Sequence, residues 1–271
     1  IYLMEPTRIL YIYQEIFPYT QETFAAKLCR ELPQFVQESG NYEVRVFVPC
    51  YGVINERRNQ LHEVQRLSGL NLVVDDNDYQ LIIKVASIQS ARLQVYFIDN
   101  DVFFKRRAMW LDDNGDSFKD NDERMIFYIR GVLETIKKLR WTPNIIHCNG
   151  WFSSLAPVLI KTSYSSDPFY AKSKVIFSIY NDRFANTVNK KIEKKLDIKL
   201  LDKQKLIKDK TVGWDTLINL AADYSDVVTE GEKEVKALIK GLVDTKKTKY
   251  IKYKEDIKPV YLKLYKDLAG K

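Results

Sequence analysis

His147-Cys148-Asn149-Gly150-Trp151 is the run of side chains in this chain best placed for chemistry. It follows Asn144-Ile145-Ile146, which is too short for a helix and suits a buried strand of a parallel sheet. Trp151 to Lys161 turns helical again. Such a junction puts the run at the carboxyl end of a strand, where open α/β sheets bind ligands. Three further groups have suitable residue types. Glu15 and Tyr19 lie in a polar loop, Asp120, Asn121 and Arg124 stand at the start of a helix, and Tyr180-Asn181 follows another strand. A cleft lined with Tyr, Trp, Asp and Asn suits a sugar, because rings stack on apolar sugar faces and carboxamides pair with hydroxyls. Each group also has a structural reading. His147 can be satisfied by backbone, and Asp120 or Asn121 can cap a helix. Arg124 can be a surface or ion-pair residue, Glu15 and Tyr19 can shape a loop, and Trp151 and Tyr180 can be packing residues.

The elements that must position these groups follow from periodicity. Met125, Ile126, Ile129, Val132, Leu133, Ile136 and Leu139 recur at helical steps, and Pro143 ends any continuation. Thr7 to Tyr13 predicts a first, central strand, Glu22 to Glu38 a helix capped by Gly40, and Val44 to Val48 a second strand. This β-α-β opening predicts a parallel sheet with a right-handed crossover. Val64 to Asp75, Gln80 to Ser87 and Arg92 to Ile98 predict three shorter strands, and Lys174 to Ile179 another buried one. Further on, Gly213 to Tyr224 predicts a helix, Asp226 to Thr229 a strand and Glu230 to Leu242 a helix. Thr245 to Asp256 resembles a linker, and Lys258 to Leu268 predicts a terminal amphipathic helix. The expected fold is α/β: a Rossmann-like parallel sheet flanked by helices. It carries an antiparallel or mixed strand excursion around 64–98 and a charged, protruding helical insertion around 186–210. One domain is expected over 7–244, with a basic linker and helix over 245–271.

Composition bounds the function. The 271 residues are 45% apolar and 29% charged, as in an ordinary globular protein. No apolar run approaches the roughly 20 residues that span a bilayer. The N-terminus lacks a signal-peptide pattern, so a cytoplasmic protein without membrane partners is expected. Cys29, Cys50 and Cys148 are far apart and odd in number, which argues against a disulfide framework and a zinc cluster. The net charge of +7 is uneven: 190–210 carries +5 and 245–271 carries +6, leaving the remainder at −4. Lysine runs without interleaved arginine and aromatic residues read as solvated helix faces, so nucleic acid is not an expected partner.

Taken in order, several motifs carry a resemblance. They are I-L-Y-I-Y-Q-E-I-F-P-Y, E-L-P-Q-F, V-R-V-F-V-P-C-Y-G, V-Y-F-I-D-N-D-V-F-F, D-N-D-E-R, I-I-H-C-N-G-W and V-I-F-S-I-Y-N. The chain resembles the N-terminal catalytic domain of bacterial glycogen synthases and plant starch synthases, from about Arg8 to Leu242. These are retaining glucosyltransferases of the two-Rossmann-domain type. The resemblance implies transfer of glucose from ADP-glucose to an α-1,4-glucan, with no cofactor and no metal. It implies His147 and Asp120 as catalytic residues, and Glu15, Tyr19, Asn121, Arg124, Asn149, Trp151, Tyr180 and Asn181 as substrate-binding residues.

The departures bear on activity. The family's lysine-threonine-glycine-glycine-leucine loop is replaced by Gln21-Glu22-Thr23-Phe24-Ala25, where a glutamate repels phosphate and a phenylalanine blocks it. The family's histidine-cysteine-histidine-aspartate-tryptophan becomes His147-Cys148-Asn149-Gly150-Trp151, and its later histidine-asparagine becomes Tyr180-Asn181. The chain leaves no room for the family's C-terminal Rossmann domain, yet Pro259 to Leu268 resembles the family's last helix. A compact protein that lost the second domain and kept the crossing helix is therefore expected. Three functions follow. One is a glucosyltransferase, weak or inactive alone, or completed by a homodimer or partner chain. The second is a non-catalytic module that binds glucan or malto-oligosaccharide, or regulates synthesis. The third is a scaffold whose lysine-rich arm and tail contact an acidic partner.

Overall fold

β1 (Thr7–Tyr13) buries every residue except Arg8, because its β-branched and aromatic side chains pack on both faces of a central strand. The computed structural model describes residues 5–40, 42–196, 207, 211–244 and 247–270. After β1 come α1 (Phe24–Glu38), β2 (Tyr42–Pro49), β3 (His62–Glu63), β4 (Asn71–Val74), β5 (Asn77–Gln80), β6 (Ile82–Ile88), β7 (Leu93–Asp99) and α2 (Asp101–Phe104). The second half holds α3 (Asn121–Lys138), β8 (Ile145–Asn149), α4 (Leu155–Lys161), β9 (Lys174–Ile179), α5 (Ile192–Lys195), α6 (Trp214–Asp223), β10 (Val227–Glu230), α7 (Val235–Leu238), β11 (Lys249–Ile251) and α8 (Ile257–Ala269).

The main sheet runs β11-β10-β9-β8-β1-β2-β7-β6-β3. It is parallel from β11 to β7, and β6 and β3 are antiparallel at one edge. The chain leaves β1 towards β2 and later returns to its other side as β8, so the strand order reverses there. That reversal opens a crevice at the carboxyl ends of β1 and β8. α1 and α8 pack on each other and against β2 and β8, while α3, α4 and α6 form the second helical layer. The predicted apolar stripe of α3 is the core of that layer: Met125, Ile126, Ile129, Val132, Leu133 and Ile136 have no exposed surface. Each such burial stabilises by about 1.5–3 kcal/mol.

Several boundaries differ from the sequence expectation. The 64–98 excursion is mixed, as expected, but its first strand is broken. Gly69 takes a positive φ, and β4 and β5 pair only with each other around Asp75-Asp76, both left-handed. Aspartate tolerates that conformation better than most residues. Asp120 occupies the N-cap of α3 without a capping bond, because its carboxylate is taken by Arg106. The helix predicted over 230–242 is one turn. Glu230 stays in β10, and Gly231 passes so close to Tyr180 that a Cβ there would lie 2.5 Å from the ring. The linker predicted over 245–256 contains an edge strand, pinned where Glu230 accepts bonds from the Tyr250 hydroxyl at 2.6 Å and from Tyr253 N at 2.8 Å.

Of the insertion predicted over 186–210, positions 197–206 and 208–210 lie outside the described residues. Its described flanks pack inward rather than protrude. Val188, Ile192, Leu196, Ile207 and Val212 are buried, and Val188 bridges Val212. The Lys195 ammonium sits 2.8 Å from the Asp122 carboxylate, which ties this segment to α3. Among the described residues, no helix is long and apolar enough to cross a membrane.

Candidate functional site

Four strands end at the crevice. β1 leads into Gln14 and Glu15, β8 into Gly150 and Trp151, β9 into Tyr180, Asn181 and Asp182, and β10 into Gly231 and Glu232. Five predicted residues, Glu15, Asn149, Trp151, Tyr180 and Asn181, are gathered here. Most are fastened to their neighbours. The Tyr180 hydroxyl donates to Asn149 Oδ1 at 3.0 Å, and Asn149 Nδ2 donates to the His147 carbonyl at 3.3 Å. The Trp151 ring is buried between Trp110, Phe152 and Phe184, and its Nε1 reaches no acceptor. Asn181 is exposed, and its backbone N–H donates to Glu232.

His147 is not at the crevice surface. It lies in mid-strand with no exposed surface, and both ring nitrogens are 2.6 Å from hydroxyls, Nδ1 from Tyr265 and Nε2 from Ser178. Ser178 in turn joins Thr229 and Tyr261 at 2.6 and 2.8 Å. This network docks α8 onto β8, β9 and β10. Burial alone pulls the imidazole from 6.5 down to about 3, so the ring is neutral and committed to structure. The residue expected to be catalytic is thus placed beneath α8, with both ring nitrogens engaged. Its depth follows from its place in β8, a central strand between β1 and β9 that is buried throughout.

The crevice is acidic. Glu15 is buried, and burial is the main reason its carboxyl rises from 4.5 to about 7. The Thr23 hydroxyl opposes this, and the Asp182 and Glu232 carboxylates reinforce it. Burial likewise raises Asp182 from 3.8 to about 6, against bonds from Trp214, Trp151 and Gln14, and Glu232 adds to the rise. Asp182 is the hub that sequence reasoning missed. It accepts from Trp214 Nε1 at 2.7 Å, Gln14 Nε2 at 2.8 Å and Trp151 N at 3.1 Å. Gln14, also missed, holds both sides of the crevice, because its Oε1 accepts from Phe152 N at 3.1 Å. Gly150 is the reciprocal of Gln14: φ is +80°, and a Cβ there would meet Gln14 Cδ at 2.1 Å. The signal available in the sequence was the glycine standing where the resemblance calls for an aspartate.

The segment 21–25 leads into α1, which begins at Phe24. Thr23 caps α1 by accepting from Ala26 N at 2.9 Å and donates to Glu15 at 2.7 Å. Glu22 pairs with Lys27, and Phe24 is 45% exposed.

Asp120, Asn121 and Arg124 form a second group that does not line the crevice. Arg124 is fully buried and donates to the Phe103 carbonyl, Asn121 Oδ1 and the Met109 carbonyl, each at 2.7 Å. Asn121 Nδ2 donates to the Trp110 carbonyl at 2.8 Å. Burial brings the guanidinium down to about 10, and no carboxylate bonds it directly; rings of Phe104, Phe118 and Phe152 surround it. Burial works to raise the Asp120 carboxyl, and the Arg106 pair overrides it and holds it below its usual range. These side chains thus clamp the 103–110 loop from behind. In front, that loop lines a 520 Å³ cavity together with Tyr19, Gln21 and Val53. Asn121 and Arg124 thus hold the loop that lines this cavity.

Among the described residues, one potential ligand cluster is brought together across the fold. Donor atoms of Cys50, Glu56 and Asp99 lie within 4.8 Å of one another. The Lys84 ammonium already bridges both carboxylates, 2.8 Å from Glu56 and 2.7 Å from Asp99.

Comparison with known proteins places this architecture. The family model described as the starch synthase catalytic domain matches residues 8–239. A glycogen synthase from Chlorobium limicola is 38% identical over 175 residues, 64% of this chain and 36% of that protein. One from Chlorobaculum tepidum is 35% identical over 224 residues, 82% of this chain and 45% of that protein. The chain thus spans less than half the length of these relatives. Among solved structures, the catalytic domain of starch synthase IV from Arabidopsis thaliana, bound to ADP and acarbose, matches with a TM-score of 0.71. The identity is 19%, over 93% of this chain and 52% of that one. Residue pattern, sheet order and family match converge: the chain belongs to the starch synthase catalytic domain family.

Proposed function

We propose that this chain is a glycogen/starch synthase-type unit that holds an α-1,4-glucan and, by itself, transfers glucose from ADP-glucose weakly or not at all. The observation that carries this reading is the acidic crevice. Burial raises all three carboxyls at the strand ends where an anionic donor would sit, Asp182 and Glu232 add to the rise of Glu15, and Glu232 adds to that of Asp182. A diphosphate leaving group needs preorganised positive charge. An ionised carboxylate about 4 Å from a phosphate oxygen opposes it by about 4 kcal/mol at an effective dielectric of 20, and Glu15, raised to about 7, opposes it in its ionised fraction. A neutral glucan escapes that penalty. The clamped cavity beside Tyr19 and Trp110 combines rings with polar groups, which suits sugar units. Phosphate-binding groups would then come from outside these 271 residues.

A non-catalytic glucan-binding or regulatory module is the second reading. It is favoured by His147, whose ring nitrogens are both engaged under α8. The test is glucose transfer from ADP-glucose, with UDP-glucose in parallel, to maltoheptaose, alongside calorimetric binding of maltoheptaose and ADP. Maltoheptaose binding without ADP binding or turnover is expected. Robust turnover by the isolated monomer would refute the proposal, and absence of maltoheptaose binding would remove its glucan half.

A further inference from the structure

Outside the crevice, the segment after β9 is tied to the segment leading into α3. Ser117 N donates to Asn186 Oδ1 at 3.0 Å, and Asn186 Nδ2 donates back to the Ser117 carbonyl at 3.4 Å. The Val188–Val212 bridge, with Val188 N donating to Val212 O at 2.8 Å, fastens the same segment to the one leading into α6. Buried Val188, Ile192 and Val212 anchor these ties. Where the three segments meet lies a cavity of about 320 Å³, and Lys119 and Lys190, far apart in the chain, both line it.

The cavity gathers donors without a counter-charge. Thr187, Asn189 and Thr211 complete its polar lining, and none of the described residues that line it is acidic. Among the described residues, neither lysine ammonium and neither threonine hydroxyl has a partner. Asp120, the acid next to Lys119 in the chain, is taken by Arg106. Asn189 Oδ1 accepts from Lys191 N at 3.0 Å, which leaves its Nδ2 as a donor. The fold thus holds two like charges on one cavity, where they oppose each other until an anion answers them. A phosphate group carries up to two negative charges and three strong acceptor oxygens, so it can answer both ammoniums and also accept from the hydroxyls and the amide. A single carboxylate would leave one ammonium unanswered, and a neutral molecule both. A larger cavity of about 730 Å³ shares Thr187 and Thr211 with this one and has room for an organic group attached to the phosphate. Its own cation, Arg183, is already paired with Asp215 at 2.7 Å, so the unanswered charge lies at the lysine end.

We propose that the cavity between Lys119 and Lys190 binds a phosphate group, either as the free anion or as the monoester of a small organic molecule. The site is apart from the crevice and its leaving group, and it does not rest on the glucan reading. The experiment is calorimetric titration of inorganic phosphate, glycerol 3-phosphate and glycerol into the wild-type chain and into Lys119→Ala, Lys190→Ala and Lys263→Ala. Lys263 is an exposed lysine of α8 that does not line the cavity. Phosphate or its ester should bind the wild type, and glycerol should not. Each cavity variant should bind about 10-fold more weakly, the size of one lost hydrogen bond to a charged group, and Lys263→Ala should bind as the wild type does. Tighter binding of glycerol 3-phosphate assigns the site to an ester, and equal or tighter binding of inorganic phosphate assigns it to the free anion. Hydrogen exchange over 187–190 should slow in the presence of whichever binds more tightly. No binding of either phosphate by the wild type, unchanged affinity in both cavity variants, an equal loss in Lys263→Ala, or unchanged exchange over 187–190 overturns the proposal. Both cavity lysines are exposed, so their replacement should leave the fold intact, and the exchange measurement needs only the wild type.

Discussion

Replacing Gly150 with alanine tests the crevice architecture directly. Two costs can be worked out. The first is conformational: φ is +80° and ψ 166°, a region that is nearly glycine-only, at about 1–3 kcal/mol for another residue. The second is steric. The new Cβ would fall 2.1–2.5 Å from the three terminal atoms of the Gln14 side chain. Gln14 is buried, so its amide can move only by giving up its bonds to Asp182 and to Phe152 N. Losing a bond to a charged group and stranding a buried N–H costs about 2–4 kcal/mol. Gly150→Ala should therefore lower the unfolding free energy by about 3–7 kcal/mol, summed from these ranges. In the background of Gln14→Ala the steric part is already gone, and the same substitution should cost only the conformational part, about 1–3 kcal/mol. Urea denaturation of the four proteins of this cycle supplies the coupling energy. A Gly150→Ala cost below about 1 kcal/mol, or additive effects with Gln14→Ala, would refute the reasoning.

Other consequences follow from buried groups. The folded pKa of His147 lies below its unfolded value, so the unfolded chain takes the proton first. Stability contributed by neutral His147 is lost as pH falls from about 6.5 towards about 3, by up to about 1.4 kcal/mol per pH unit. A His147→Gln chain with the same acid slope as wild type would contradict this. Glu15 acts in the opposite sense: its folded pKa is raised, so stability falls as pH rises from 4.5 to about 7. Glu15→Gln should remove that loss and be the more stable protein at pH 8, which denaturation at pH 5 and pH 8 would check. Arg124→Met leaves the Phe103 and Met109 carbonyls without their donor and should destabilise by about 3–5 kcal/mol. Limited proteolysis should then cut first within 103–115, and an unchanged cleavage pattern would count against the clamp.

The main elements were legible because their signals are local. The stripe on α3, the caps and breakers around Gly40 and Pro143, and the β-branched runs of β1 and β9 each express a period of 3.6 or 2 within a short window. The order of these elements, with a family resemblance in their motifs, was enough to place the crevice at the ends of β1 and β8. The missing positive charge at 21–25 was equally visible, since Glu22 and Phe24 are substitutions of type.

What each crevice residue does was decided by partners far away in the chain. His147 lies in the right strand for a ligand, but a tyrosine 118 positions later on α8 claims its ring. Arg124 sits on the polar side of α3 in sequence, yet folding wraps the 103–110 loop over it and turns it into a buried clamp. Asp182 became the hub only when Gln14, Trp151 and Trp214 were brought together from 31 to 168 positions away. Lys249–Ile251 read as a linker because three residues carry little periodic signal, and β10 supplied the hydrogen bonds that made them a strand. The sequence by itself determined most of the strands and helices and the absence of a basic residue at 21–25, since periodicity and residue type act within a few positions. Only the tertiary structure decided which side chains reach the surface there, because depth and hydrogen-bond partners depend on contacts that chain distance does not encode.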